Sequence, residues 1–167
     1  NSPQYYVDYV KNFGATNLSI PLTLSWASDG KDSYFFPTKG TFQKASLEVA
    51  LPGGDLTYYR ASYQLQHFVP LTSRFTLMLN GEVGYAEGYG DSGLPFFKNF
   101  YAGGIGSVRG YKASSLGPLS IDTSTGTIYR LGGNSRVIGN AELLWGIPGM
   151  EKSFRMGWFF DAGQVYG

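Results

Sequence analysis

Cysteine is missing from this sequence of 167 residues, and charged side chains are scarce. Without cysteine the chain has no disulfide framework, no thiolate metal site and no cysteine nucleophile. Charged residues make up 15% of the sequence, whereas soluble domains usually contain about 25%. The formal net charge of +1 is too small to attract nucleic acid, so we expect no DNA or RNA partner.

Long apolar runs are missing as well. No stretch approaches the roughly 18 consecutive apolar residues that a membrane-spanning helix needs, so strands would have to make any membrane crossing. The first residues also lack the basic region and apolar core of a signal peptide. We therefore expect either that a leader was removed or that the chain is an internal piece of a longer protein.

Strict alternation of apolar and polar residues is the dominant pattern that the sequence does contain. In the segment 17–28, apolar side chains such as Leu22, Leu24 and Trp26 alternate with serine and threonine. A period of two is typical of a strand with two unlike faces. The same pattern returns in five further segments, at 44–51, 59–69, 75–85, 136–145 and 153–166. The sequence therefore predicts an all-β fold of six antiparallel strands.

The composition of the two faces distinguishes a soluble sandwich from a membrane barrel. The polar faces of a sandwich would be rich in Lys and Glu, but here they carry mostly Ser, Thr, Asn and Gln, which suits a crowded barrel interior. Aromatic residues also lie near the ends of the apolar faces, as expected at lipid headgroups. These residues are Trp26, Tyr59, Tyr85, Trp145 and Phe154. The pattern favours strands of a transmembrane β-barrel.

The connections between the predicted strands differ greatly in length. Residues 70–73 and 148–152 form short connections, whereas residues 91–135 form a long one without obvious strands. Outer-membrane barrels have short periplasmic turns and longer extracellular loops. We therefore expect 29–40, 70–73 and 148–152 in the periplasm, with 53–56 and the long loop 91–135 outside the cell.

A short surface helix is predicted before the first strand. Ser2 is a candidate N-cap and Pro3 a candidate first helical residue. Three apolar residues, Val7, Val10 and Phe13, follow at helical spacing, and Gly14 would end the helix.

Motifs in and around the long loop carry a family resemblance. Residues 96–104 end in Phe-Tyr-Ala-Gly-Gly, and the tetrapeptide Val108-Arg109-Gly110-Tyr111 and the tripeptide Leu116-Gly117-Pro118 follow. The strand segment 160–166 and the turn segment 34–40 add two further matches. In this order and near this spacing, the motifs resemble the BamA family.

The resemblance implies a fold and a function for the longer protein. It implies a barrel of sixteen strands in the bacterial outer membrane, of which residues 1–167 supply about six within the C-terminal barrel domain. The family folds and inserts β-barrel proteins into that membrane. The implied partners are outer-membrane lipids, unfolded outer-membrane protein substrates and, through the rest of the protein, Bam lipoproteins. No cofactor or metal is implied.

The resemblance also implies how the loop is held. The motif arginine of the family lies inside the barrel and pairs with acidic residues on neighbouring strands. In this sequence the arginine corresponds to Arg109, and the acidic residues correspond to Glu142 and Asp161. Alternation independently places both carboxylates on the polar face of adjacent strands. A guanidinium with five fixed donors could bridge them, although a loop arginine in water and solvated carboxylates are the ordinary alternative. Four glycines, Gly103, Gly104, Gly106 and Gly110, would allow tight turns against the wall.

Catalysis is a weaker interpretation of the same residues. Two carboxylates are also found in glycosidases, and a serine with a histidine, here Ser107 and the single His67, is found in hydrolases. His67 alternates with outward apolar residues, however, and the glycine-rich stretch 104–110 lacks the Lys-Ser/Thr of a phosphate loop. We expect no enzymatic activity.

Other barrel proteins are the remaining alternatives. A two-partner secretion pore or a TamA-like protein would share the Val-Arg-Gly-aromatic motif, whereas a porin would need more charges in the loop. Six strands from a larger sheet would also leave two unpaired edges. We therefore expect an open sheet, with possible self-association through its edges.

Overall fold

A six-stranded antiparallel sheet dominates the computed structural model, which describes residues 4–14, 16–90, 93–122, 126–150 and 153–167. The strand order is β1-β2-β3-β4-β7-β8, and β5 and β6 form a separate two-stranded sheet. The elements are α1 Gln4–Phe13, β1 Pro21–Asp29, β2 Gly40–Ala50, β3 Tyr58–Pro70, β4 Phe75–Gly88, β5 Leu119–Ile121, β6 Ile128–Arg130, β7 Ser135–Gly146 and β8 Arg155–Tyr166.

The predicted all-β antiparallel fold is confirmed, and the sheet is open because β1 and β8 lie at its two edges without pairing to each other. The strand boundaries differ most from the predictions at the starts of β1 and β2. β1 begins at Pro21 rather than at residue 17, because the carbonyls of Leu18 and Ile20 accept hydrogen bonds from residues 51–56 instead. β2 begins at Gly40, before its regular alternation starts.

The register aligns the apolar residues of all six strands on one face of the sheet, called here the apolar face. Leu24 pairs with Leu47, Leu79 with Ala141, and Ala141 in turn with Phe160. Many of these side chains are exposed to the surroundings, and Leu24 and Phe160 are each 72% exposed. The opposite side, called the polar face, is covered in part by the chain's own loop, whereas β1 is exposed at every residue. This arrangement is the reverse of a soluble protein and matches strands that face lipid.

The two ends of the sheet carry aromatic residues on the apolar face. At the turn end, where β3 joins β4 and β7 joins β8, Phe75 stacks on Trp145 with ring centroids 6.5 Å apart. At the opposite end, the loop end, Tyr59 lies 6.1 Å from Tyr85. The two aromatic pairs lie at opposite ends of the strands, as aromatic girdles at two lipid interfaces do.

The long loop contains structure that the sequence pattern did not indicate. β5 and β6 are each three residues long and form a small hairpin. A turn of 3₁₀-helix also covers Phe96–Lys98. Such short elements give no visible alternation, because a period of two needs at least four residues to show.

Helix α1 lies at the loop end and ends as predicted at Gly14, whose φ of 83° is accessible mainly to glycine. Tyr9 of this helix is buried and packs against Leu56 and Tyr58. Val10, predicted on the apolar side, is instead 43% exposed. The predicted caps Ser2 and Pro3 lie outside the described residues.

No helix in the described part of the chain is long and apolar enough to cross a membrane.

Candidate functional site

Arg109 lies on the polar face of the sheet between the two predicted carboxylates. Its Nε donates a hydrogen bond to Asp161 Oδ2 at 2.7 Å, and its Nη2 donates to Asp161 Oδ1 at 2.8 Å. Its Nη1 donates to Glu142 Oε2 at 3.3 Å. One guanidinium therefore makes a two-pronged contact with one carboxylate and a longer contact with the other, which is the geometry that the planar fork of arginine favours.

The main chain of the loop takes part in the same contact. The backbone N–H of Arg109 donates to Asp161 Oδ2 at 2.9 Å, so Asp161 accepts three hydrogen bonds from a single residue. The Asp161 side chain is only 2% exposed, whereas that of Arg109 is 24% exposed. The hydrogen bonds that Arg109 donates to Asp161 raise the pKa of Arg109, so the guanidinium stays charged. Asp161 thus fixes both the position of the loop backbone and the direction of its side chain.

The two carboxylates are offset along their strands rather than directly opposite. Asp161 pairs with Asn140, whereas Glu142 pairs with Phe159, which lies two residues before Asp161 on β8. The Phe159 ring, which is half exposed, lies against the guanidinium, whose carbon is 3.7 Å from the ring centroid. A cation–π contact at this distance adds attraction where water is partly excluded. The alternation pattern had not assigned Phe159 any role.

Val108 anchors the loop by apolar packing next to the ionic contact. It is buried in a cluster with Ile138 and Val165 from the sheet and Ala102 from the loop. A Cβ added at Gly163 would lie 2.8 Å from Val108 Cγ2, so the absence of a side chain at Gly163 leaves the room that Val108 occupies. Apolar packing and charge pairing therefore hold adjacent residues of one motif.

The remaining motif residues and glycines behave in different ways. Gly103, Gly104 and Gly110 have the positive φ that was expected of them. Gly106 does not, and a Cβ there would meet nothing within 4 Å, so the expected conformational reason for a glycine at that position was wrong. Tyr111 is 56% exposed and does not reach the carboxylates.

A chain of side-chain amides on the polar face leads to the same site. Gln64 Nε2 donates to Asn80 Oδ1 at 3.0 Å, and Asn80 Nδ2 donates to Asn140 Oδ1 at 2.8 Å. Asn140 Nδ2 donates to the Ser107 carbonyl at 2.7 Å, and Asn140 is the cross-strand partner of Asp161. Asn140 therefore connects the sheet to the loop backbone beside the acidic partner of Arg109.

Phe100 occupies a second anchoring position nearer the loop end. Its ring is 1% exposed and lies over Gly84 of β4, where an added Cβ would come within 2.6 Å of the ring. Guanidinium carbons from the two flanking strands approach the ring centroid, Arg60 at 4.1 Å and Arg136 at 5.4 Å. Arg136 also pairs with Glu82 at 3.0 Å. Phe100 belongs to the motif that the sequence analysis singled out. Its contacts with β3, β4 and β7 were not predicted, because they come from three separate strands.

A third contact fixes the start of the loop. Lys98 Nζ pairs with Glu48 Oε1 at 2.7 Å, and the Tyr58 hydroxyl donates to the same oxygen at 2.7 Å. The Lys98 carbonyl in turn accepts a hydrogen bond from Arg60 Nε at 3.2 Å. The loop is therefore attached to the polar face at three positions along the strands, through Arg109, Phe100 and Lys98.

The residues considered for catalysis lie apart. Ser107 belongs to the loop on the polar face, and its hydroxyl accepts a hydrogen bond from the Gly103 N–H at 2.8 Å. His67 lies on the apolar face, where its Nδ1 is 2.8 Å from Thr41 Oγ1. The sheet separates them, so they form no nucleophile–base pair. Within the described residues, no group of three or more His, Cys, Asp or Glu side chains could hold a metal ion.

Comparison with known proteins assigns the family. Residues 1–167 match the model of the Omp85 superfamily domain. The chain belongs to the Omp85 superfamily. It is 41% identical to the outer membrane protein assembly factor BamA of Neisseria meningitidis serogroup B, over 99% of this chain and 22% of that protein. It is 30% identical to the sorting and assembly machinery component 50 homolog of Mus musculus, over 93% of this chain and 34% of that protein.

The fold gives the same result. The structure superposes on the crystal structure of BamA from Haemophilus ducreyi lacking POTRA domains 1–3 with a TM-score of 0.87 and 26% identity, covering 98% of this chain and 35% of that chain. The resemblance to the BamA family that the motifs predicted is thereby confirmed. The chain of this Omp85 member spans about a fifth of the length of the Neisseria relative and about a third of the mouse relative.

Proposed function

We propose that this chain is part of the barrel domain of an outer-membrane assembly factor, which folds and inserts β-barrel proteins into the bacterial outer membrane. The observation that carries the proposal is the docking of the 91–135 loop on the polar face through Arg109, Asp161 and Glu142. A loop packed inside a barrel fills the interior that a passive pore would leave open. The named function of the 41% identical Neisseria relative supports the same activity.

The orientation in the membrane follows from the unequal connections. The loop 91–135 would lie at the outer surface of the cell, and the short turns at residues 70–73 and 148–152 would lie in the periplasm. The apolar face would contact membrane lipids directly. Unfolded outer-membrane proteins would be the substrates, and lipoproteins would bind through the rest of the protein.

We further propose that the activity involves no bond-making step and no cofactor. Arg109 is paired with the carboxylates rather than left free to polarise a substrate. Its role would be mechanical, because it holds the loop in one position while the barrel wall changes shape during insertion.

The test is to replace the chromosomal copy of the full-length protein in a strain where its expression can be shut off. Arg109→Ala should lower the levels of other outer-membrane β-barrels, and Arg109→Lys should do so to a smaller extent because lysine keeps the charge but loses the fork. Arg74→Ala is the matched control, since Arg74 is an exposed arginine at the turn end. Normal levels with Arg109→Ala at normal expression would contradict the proposal.

A related transporter would give a different result. If depletion left outer-membrane β-barrels at normal levels and stopped the export of one secreted protein, a two-partner secretion pore or a TamA-like role would replace the assembly role. The match to the superfamily model does not separate these activities, since the description covers the superfamily as a whole.

A further inference from the structure

The connection between β1 and β2, residues 30–39, is an ordered segment rather than a simple hairpin turn. Its neck is closed by hydrogen bonds from the Gly30 N–H to the Thr41 carbonyl at 2.9 Å and from the Asp32 N–H to the Lys39 carbonyl at 3.1 Å. Gly40 has a φ of 109°, and a Cβ there would lie 2.2 Å from the Gly30 carbonyl oxygen. Only glycine therefore permits this close neck.

Asp32 organises the interior of the segment. Its Oδ1 accepts hydrogen bonds from the backbone N–H groups of Thr38 at 2.8 Å and Lys39 at 3.1 Å. Its Oδ2 accepts another from the Thr38 hydroxyl at 2.5 Å. The carboxylate of Asp32 thus accepts hydrogen bonds that a backbone carbonyl would accept in a turn, and these bonds give the segment a defined shape.

Arg155, the first residue of β8, binds the far side of this segment. Its Nη1 donates to the Pro37 carbonyl and its Nη2 to the Phe36 carbonyl, each at 2.7 Å. The guanidinium carbon lies 5.2 Å from the centroid of the Phe36 ring. Phe36 is half-buried, whereas the preceding Tyr34 and Phe35 are exposed. One side chain therefore holds two consecutive carbonyls and an aromatic ring.

The sheet topology shows that this contact joins two strands that are not neighbours. Three strands, β3, β4 and β7, lie between β2 and β8. Strands in a sheet are about 4.8 Å apart, so the path along the sheet is roughly 19 Å. Arg155 lies on the polar face, in the same row as Asp161. The segment can reach it only by crossing that face at the turn end.

We propose that residues 30–39 close the turn end of the barrel interior and that Arg155 is the residue that positions them there. Strand β8 then binds two segments that cover the polar face from opposite ends of the sheet. Asp161 fixes the long loop from the loop end, and Arg155 fixes the 30–39 segment from the turn end. The inference rests on the chain being part of a membrane barrel, but it does not depend on the assembly activity.

Arginine is suited to this task for a physical reason. Without Arg155 the carbonyls of Phe36 and Pro37 would lose the hydrogen bonds that they accept from it, and an unpaired buried carbonyl is destabilising. The planar fork of arginine satisfies both at once, whereas lysine offers a single point of contact. Loss of the fork should release the segment from β8 without breaking a strand pair.

Ion conductance through the purified full-length protein in planar lipid bilayers tests the inference. The unmodified protein should remain closed most of the time. Arg155→Ala should produce frequent stepwise openings, Arg155→Lys should produce fewer, and Arg74→Ala should behave as the unmodified protein does. Unchanged conductance in a folded Arg155→Ala protein would overturn the inference. The shift in gel mobility on heating, which folded barrels show, would confirm folding.

A second variant keeps the inference testable if Arg155→Ala does not fold. Deletion of residues 33–37 removes both carbonyls that accept from Arg155 and leaves Arg155 in place. This protein should also open, and adding Arg155→Ala to it should cause no further increase, because the two changes remove the same contact. A closed deletion protein, or a fully additive double variant, would overturn the inference. Assembly activity, measured separately, could fail or persist without affecting this result.

Discussion

Arg109 and Asp161 form three hydrogen bonds with each other, one from the backbone and two from the guanidinium, although 52 positions separate them in the sequence. The contact joins a loop to the last strand of the described sheet. Its strength should differ sharply from that of the contact with Glu142, because Asp161 is almost fully buried and Glu142 is 20% exposed.

Asp161→Ala should therefore weaken loop docking more than Glu142→Ala does. Removing one partner of a buried pair leaves an uncompensated charge, so we expect a cost of about 3 kcal/mol at Asp161 and about 1 kcal/mol at Glu142. Hydrogen exchange of the amides in residues 105–111, measured on the full-length protein in detergent, gives the free energy of loop opening. Equal effects of the two variants would argue against the central role of Asp161.

Gly84→Ala should disturb the seat of Phe100. The added Cβ would lie 2.6 Å from the ring, and overpacking of this kind typically costs about 1–3 kcal/mol. Gly81→Ala is the matched control on the same strand, because Gly81 lies on the apolar face and a Cβ there would meet nothing within 4 Å. Thermal unfolding of the two variants should show a loss only for Gly84→Ala. A loss of the same size for Gly81→Ala would point to strand propensity instead.

Asn140→Ala should loosen the tip of the loop. The substitution removes the donor to the Ser107 carbonyl and the acceptor of the hydrogen bond from Asn80, and unsatisfied buried groups of this kind cost about 1–3 kcal/mol. Combined with Asp161→Ala, its effect should be less than additive, since the two residues are cross-strand partners that hold the same part of the loop. Strict additivity in a double-mutant cycle would show that the amide chain acts independently of the ionic contact.

The 30–39 segment should lose stability in acid because of Asp32. The hydrogen bond from the Thr38 side chain lowers the pKa of Asp32 from 3.8 to about 2. A carboxyl group whose pKa is lowered by folding stabilises the folded form at pH values above its ordinary pKa. That contribution disappears as pH falls from 3.8 towards 2. Hydrogen exchange at Thr38 and Lys39 should therefore show increased opening across this window. Asp32→Asn should remove the dependence on pH, and a dependence that persisted in this variant would assign it to another group.

Alternation was sufficient to predict the six strands and their faces, because each strand has one face towards an apolar environment and one towards a polar interior. Leu24 and Phe160 obey the same rule although they lie at opposite edges of the sheet. The rule failed at residues 17–20, where the apolar pattern continues but the hydrogen-bond partners belong to a loop. The alternation of apolar and polar residues does not show which carbonyl accepts the hydrogen bond of a given backbone N–H.

The candidate site was accessible from the sequence only in part. Arg109 and its two carboxylates followed from a motif and from the alternation of β7 and β8. The seat of Phe100 did not, because it depends on a missing Cβ at Gly84 and on arginines from two other strands. The contact between Arg155 and residues 36–37 spans most of the chain and has no local signature.

The most direct test of the proposed function is the insertion of an unfolded outer-membrane β-barrel substrate into liposomes that contain the purified full-length protein. The proposed function predicts that the protein accelerates insertion over empty liposomes, that Arg109→Ala removes most of this acceleration, and that Arg74→Ala retains it. Insertion at the same rate with and without the protein, or full acceleration by a folded Arg109→Ala variant, would contradict it.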